Sequence, residues 1–357
     1  GLGNEAHRDR CGLFVETGFA NLYPAFSPDG KRIAFVSTLG APYLGQSQLV
    51  VGEFGGKFKP LVQGVGKEVS WSPDGKRLYY SRITIRNPNF SSQSDLYVYD
   101  LEKEKETRLT FGKRAMSPHV SPDGKMLAFV VGRDGTSNLA VMNTDTTGFR
   151  VLTAFTNGEQ VYGPKWHPSG DRIVFDYSVR DGRDIAWIRP DGSGMEFLVA
   201  GDQDSRNAVV SPDGSRMLFA DDRTGIFNLY ALDLSTRRVE QLTNVVGGAF
   251  MPTMNAEGTI VYANYTAEGY KLYELERPTP VEGESISYLP QLSNNPLPKP
   301  VYDKFPDDPT DTFDWASLRA YDDSVFPQHD ARVYKNVFTS VAFVPFVRFD
   351  NYNTKNK

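Results

Sequence analysis

Tyr23-Pro24-Ala25-Phe26-Ser27-Pro28-Asp29-Gly30-Lys31-Arg32-Ile33-Ala34-Phe35 returns as Val69-Ser70-Trp71-Ser72-Pro73-Asp74-Gly75-Lys76-Arg77-Leu78-Tyr79-Tyr80. Four further versions follow, at Ser121-Pro122-Asp123-Gly124, His167-Pro168-Ser169-Gly170, Ser211-Pro212-Asp213-Gly214 and the weaker Asn255-Ala256-Glu257-Gly258. From Pro28 to Pro73, Pro122, Pro168, Pro212 and Ala256 the spacings are 45, 49, 46, 44 and 44 residues, the length of one four-stranded blade. Proline presets φ for the second position of a type I turn, and aspartate can bond its own backbone. Glycine takes the left-handed conformation that re-enters the next strand, and all six copies keep it.

Outward from each turn runs a short apolar strand, such as Ile33-Ala34-Phe35-Val36, Leu127-Ala128-Phe129-Val130 or Met217-Leu218-Phe219-Ala220. Runs of this kind are buried on both faces. A third strand follows at Asp95-Leu96-Tyr97-Val98-Tyr99, Asn138-Leu139-Ala140-Val141-Met142 and Asn228-Leu229-Tyr230-Ala231-Leu232. A fourth ends in a repeated Leu-Thr, at Leu109-Thr110, Leu152-Thr153 and Leu242-Thr243. Six such units predict an all-β chain: a six-bladed β-propeller of four-stranded antiparallel blades. The last unit runs into proline-rich sequence after Leu272-Tyr273-Glu274-Leu275 without its fourth strand. Gly12-Leu13-Phe14-Val15-Glu16-Thr17-Gly18 stands at the right distance ahead of the first turn to supply it, so the N-terminal strand is predicted to close the ring. Burial of two or three of its apolar side chains, at roughly 1.5–3 kcal/mol each, would rival the net stability of a domain.

The composition agrees: 39% hydrophobic, 23% charged and 13% aromatic, with 32 glycines and 23 prolines among 357 residues, suits many short strands joined by tight turns. A net charge of −5 gives no general attraction to phosphate backbones, so no nucleic-acid partner is expected. Cys11 is the single cysteine, which leaves no internal disulfide and fits either the cytoplasm or a bacterial periplasm. The chain opens on Gly1 rather than Met, as if processed or excised from a longer one. No apolar run reaches the length of a membrane-spanning helix.

The Ser-Pro-Asp-Gly-Lys-Arg-Ile-Ala-Phe pattern resembles the WD-like repeats of TolB-type propellers, over roughly residues 12–277. That repeat class fixes the fold better than the function: similar blades occur in periplasmic scaffolds, in the propellers of prolyl-oligopeptidase-type proteases and in larger outer-membrane proteins. The resemblance implies a protein-binding module in the periplasm or outer membrane of a Gram-negative-type bacterium.

Residues 278–336 read as a proline-rich linker in an irregular C-terminal extension. Within it Asp307-Asp308-Pro309-Thr310-Asp311 lacks the alternation of a calcium loop and reads as a solvated acidic patch. Residues 337–357 include a long apolar stretch, Val337 to Tyr352, that needs a partner. By the resemblance it looks like the opening strand of an outer-membrane barrel; equally, it reads as a segment docked on the propeller or on another subunit. Pro345 removes one ladder donor. Membrane contact is expected only through this strand.

Motifs for chemistry are missing. No Gly-x-Ser-x-Gly elbow, His-Glu-x-x-His zinc motif or glycine-rich phosphate loop is present, and no catalytic residue, metal or cofactor is expected. His119 and His167 sit at or beside repeat turns and read as structural, while His7 and His329 lie in terminal segments with no nameable partner. One constellation stands out. The loops between second and third strands carry Arg133-Asp134-Gly135, Arg180-Asp181-Gly182-Arg183-Asp184 and Asp221-Asp222-Arg223-Thr224-Gly225. Propeller topology gathers them on one face with the inter-blade links that hold Arg206 and Tyr162. Such arginines suit a clamp on a carboxylate-bearing peptide, or a stitch to the aspartates of neighbouring blades. The readings that follow are a non-catalytic protein-binding or scaffolding propeller, the regulatory propeller of a peptidase whose catalytic domain lies outside the chain, and a small-ligand or carbohydrate-binding propeller. The last would use Tyr23, Tyr162 and Phe250, aromatics that otherwise pack between blades.

Overall fold

A computed structural model describes residues 11–40, 46–85, 92–179 and 182–281. The chain divides into two units, Gly1–Leu292 and Ser293–Lys357, the second of which lies wholly outside the described residues, as do most of the linker and the apolar stretch after it. The described part is all strand and turn, in six four-stranded antiparallel sheets.

Blade one consists of Asn21–Phe26, Arg32–Ser37, Gln48–Glu53 and Phe58–Gln63, ordered from the axis outward. The same up-and-down order repeats in blade two from Val65 to Arg108, blade three from Ala115 to Val151, blade four from Gln160 to Val199 and blade five from Ser205 to Gln241. Blade six takes Ala249–Met254, Ile260–Thr266 and Gly269–Leu275 from the end of the repeats, and its outer strand is Cys11–Val15. Cys11 pairs with Leu275 and Leu13 with Tyr273, so the ring is closed by the N-terminal strand as the repeat arithmetic predicts. The burial is smaller than the sequence suggests: Val15 is 5% exposed and packs with Ile33, Phe35 and Leu272, Phe14 is partly covered, and Leu13 is 47% exposed. Closure therefore rests as much on ladder bonds as on apolar area.

Turn chemistry follows the tetrapeptide. The Gly30 N–H donates to Ser27 O at 2.8 Å with Gly30 at φ +68°, and the glycines of the other five turns lie between +67° and +85°. Serine, whose part the tetrapeptide alone does not disclose, is the hub: Ser27 Oγ accepts the Arg32 N–H at 2.9 Å and donates to Asp29 Oδ1 at 2.5 Å. That bond, with the Lys31 N–H, holds Asp29 below the usual carboxylate range. Repetition of Leu-Thr has a cause too. The pair sits just past the fourth strand, where Thr110 Oγ1 accepts the Leu96 N–H at 2.9 Å and donates to Asp95 Oδ1 at 2.8 Å. Thr153 with Leu139 and Asn138, and Thr243 with Leu229 and Asn228, repeat the clasp.

The core lies between blades. Ala34, Val36 and Leu49 of blade one meet Val65, Val69, Leu78 and Tyr80 of blade two, and comparable clusters fill the other boundaries. Directed bonds reinforce them. Arg32 lies 4.8 Å over the Trp71 ring and donates to Gly75 O at 2.6 Å, and Trp71 Nε1 donates back to Ala25 O at 2.9 Å.

Candidate functional site

Every innermost strand carries a bulge, of one extra residue in five blades and of two in blade two. The pairing register shifts between Leu22 and Ala25, Val65 and Val69, Met116 and His119, Tyr162 and Lys165, Arg206 and Val209, and Phe250 and Thr253. At each bulge one residue has left-handed backbone: Tyr23, Glu68, Ser117, Gly163, Asn207 and Met251, with φ between +50° and +60°. Each stands five residues before its turn proline or, in the last blade, Ala256. The bulges form a ring around the axis.

That ring separates two cavities. A funnel of about 360 Å³ opens on the face that carries the inter-blade links, and a chamber of about 190 Å³ lies on the side of the turns. Tyr23, Glu68, Gly163, Asn207 and Met251 line both. Across the bore, Lys165 of blade four donates to Glu68 Oε2 of blade two at 3.2 Å, and both side chains are largely buried. The pair is a bolt between two blades that do not adjoin. Gly163 makes room for it, since a Cβ there would lie 2.6 Å from Glu68 Oε1.

A second buried acid stands beside the ring. Asp176, fully buried in the second strand of blade four, accepts the Asn207 N–H at 2.8 Å and the Ala208 N–H at 3.3 Å from the bulge of blade five. Val36, Ser81, Val130, Ala220 and Ala263 hold the equivalent position in the other blades. Burial pushes the Asp176 carboxyl up to about 7, against the pull of the two amides and of Arg183. Asn207 Oδ1 is buried without a hydrogen-bond partner.

Of the residues singled out in the sequence, Tyr162, Arg133, Arg183 and Arg206 line the funnel. Arg223 does not, and Arg180 lies outside the described residues. The arginines bond acids of their own repeats. Arg183 is 3.6 Å from Asp176 and stacks 3.9 Å over Tyr162, Arg206 chelates Asp204 and covers Phe227 at 4.5 Å, and Arg223 grips Asp221 at 2.7 and 2.9 Å. Arg133 meets only its neighbour Asp134, on side chains 90% and 83% exposed. Tyr23 and Phe250 also face the funnel.

Stitching between blades falls to other groups. Trp166 donates its backbone N–H to His119 Nδ1 and its indole N–H to His119 O, each at 3.1 Å, and His167 bonds Gly214 of blade five at 3.2 Å. Both histidines thus sit in structural contacts. Desolvation, then Lys165, holds His119 well below the imidazole range. Sequence reading missed Lys67, Glu68, Arg114, Lys165, Asp176 and Asn207. The signal available for some of them was positional: each inner-strand position is tied to the turn proline by a fixed offset, and a charged residue at the bulge or at an apolar position of the second strand marks a departure.

A family profile described as TolB beta propeller domain matches residues 9–209 and 69–282. An uncharacterized protein of Agrobacterium fabrum is 31% identical over 222 residues, 57% of this chain and 72% of that protein. The Tol-Pal system protein TolB of Francisella tularensis is 26% identical over 205 residues, 56% of this chain and 45% of that protein. An uncharacterized peptidase of Bacillus subtilis, YuxL, is 32% identical over 117 residues, 32% of this chain and 18% of the peptidase. The chain thus spans less than half of the last two. TolB from Acinetobacter baumannii has a similar fold, with a TM-score of 0.56 at 19% identity over 73% of this chain and 66% of that one.

Proposed function

Because the chain belongs to the TolB β-propeller family, we propose that it is a non-catalytic protein-binding module of a bacterial cell envelope, in the periplasm or at the outer membrane, and that the funnel is its binding face. One observation carries this reading. The funnel concentrates five cationic side chains, Lys67, Arg114, Arg133, Arg183 and Arg206, with Tyr23, Tyr162, Phe250 and Tyr270, in a chain of net charge −5. Aromatic and arginine-rich concave surfaces are where binding energy between proteins concentrates. Support from relatives is of the same kind, since one TolB match is named for the Tol-Pal system.

The test is capture of partners from a bacterial envelope extract on the immobilised chain, beside the variant Arg133→Ala/Arg183→Ala/Arg206→Ala. A partner retained by the wild type and lost by a variant of unchanged thermal stability supports the reading. Equal capture by both overturns the funnel as the binding face.

The second reading, a regulatory propeller attached to a peptidase, draws on the Bacillus subtilis match. The reading frame surrounding these 357 residues decides between the two, since this role requires a hydrolase domain encoded in continuity with the propeller.

A further inference from the structure

Charge in the funnel is not evenly committed. Glu68 is spent on Lys165, Asp176 on the bulge amides and Arg183, and Arg206 on Asp204. Three cations are left over. Lys67 and Arg114 are exposed and their side chains make no hydrogen bond or ion pair with a described residue, and Arg133 holds only its exposed neighbour Asp134, a pairing of little worth in water. All three stand on blades two and three or on the link between them. Most of the aromatic lining lies elsewhere: Phe250 and Tyr270, with Met251, come from blade six and Tyr23 from the adjoining blade one, whereas Tyr162 of blade four is covered by Arg183 and Met116 is the apolar lining residue of blade three. In a ring of six, blade six stands opposite blade three. The funnel is bipolar, with free positive charge on one wall and a partly exposed aromatic wall facing it.

Building on the protein-binding reading above, we propose that the funnel takes an extended acidic peptide segment. Its carboxylates lie against Lys67, Arg114 and Arg133, while an aromatic or long aliphatic side chain of the same segment packs on Phe250, Met251 and Tyr270. Charge complementarity selects the acidic wall contact, because the ligand's carboxylates meet two cations without an internal acid and a third, Arg133, held only by its exposed neighbour Asp134. The opposite wall supplies apolar area without a buried charge that would need neutralising. A funnel of about 360 Å³ holds only a few side chains, so the segment enters as a strand or a chain end rather than as a folded domain. Nucleic acid also pairs negative charge with stacking, but three such cations in an acidic chain give a weak phosphate track.

The experiment is selection of a phage-displayed random dodecapeptide library on the whole 357-residue chain, then fluorescence polarisation with the enriched sequences as synthetic, end-capped peptides. Enriched peptides are expected to combine Asp or Glu with Phe, Tyr, Trp or Leu. Lys67→Glu/Arg114→Glu should weaken them about tenfold or more, and Phe250→Ser should weaken them as well. Lys76→Glu, on a turn at the other face, should leave affinity unchanged. Phe250 is partly covered, so loss of folding in that variant is controlled by a salt titration of the wild type, in which affinity must fall as ionic strength rises. Enriched peptides that are basic, or that are indifferent to Lys67→Glu/Arg114→Glu, overturn this inference yet leave a protein-binding role standing, which envelope capture judges separately. Failure to enrich any sequence, or tighter binding of single-stranded oligothymidylate than of any enriched peptide, also overturns it.

Discussion

The carboxylate of Asp176 and the backbone of Asn207 are joined across the boundary of blades four and five by a bond of 2.8 Å, at a position where the other five blades place Val, Ser, Val, Ala and Ala. The bulge at Asn207 has two amides to satisfy, and here a buried acid does it. Burial above all sets its charge state, opposed by the Asn207 amide, Arg183 and the Ala208 amide and reinforced from farther off by Glu68.

Because the folded carboxyl is raised from the ordinary 3.8 to about 7, the folded state holds the proton where the unfolded state has lost it. Stability contributed by this group is therefore full at low pH, declines as pH rises from about 4 to 7, and is flat above. The ceiling on the decline is about 4 kcal/mol. Asp176→Asn should abolish that slope, read as urea midpoints across pH 4–8. An unchanged slope refutes the assignment.

Removing the cation of the bolt leaves a largely buried carboxylate facing no partner. Lys165→Met should cost about 3 kcal/mol in chemical denaturation, and adding Glu68→Gln should recover most of it. Additive losses in the double variant would show that the pair does not couple blades two and four.

Gly163→Ala tests the packing beside the same pair. Left-handed backbone strains alanine here, but to a degree that five non-glycine residues bear around the ring. The obstacle is Glu68 Oε1, 2.6 Å from the added methyl. A loss of about 1–3 kcal/mol is expected in the wild type and a smaller one in a Glu68→Ala background, measured as a double-mutant cycle.

Ring closure gives the largest effect. Deleting residues 1–20 strips the outer strand from blade six, exposes the edge Gly269–Leu275 and uncovers Val15's neighbours Ile33, Phe35 and Leu272. The melting temperature should drop sharply, by roughly 5 °C or more. Unchanged thermal unfolding would mean that the strand is dispensable.

Most of the architecture was legible from one tetrapeptide, because glycine at positive φ and a period near 45 residues each admit few alternatives. The closing strand could be placed from the missing fourth strand of the last unit. Its burial could not, since whether Leu13 or Val15 faces a neighbour depends on register, and a bulge between them resets it. The site was half legible. Arg133, Arg183, Arg206 and Tyr162 could be gathered on one face by topology alone, whereas Arg223 shares the loop class and turns away to Asp221. Glu68 and Lys165 escaped notice because nearly 100 residues separate them, and nothing local to either shows that they meet across the bore.

The seam between Cys11–Val15 and Gly269–Leu275 has a consequence for biogenesis. The strand that finishes the ring is made before all the others, and its partner is the last of the repeats to leave the ribosome. At roughly 5–20 residues per second, translation keeps it waiting tens of seconds with its ladder groups unmatched. A nascent chain of this design gains from an escort that shields the waiting segment, and a ribosome stalled within the fifth repeat would release a sticky, open arc.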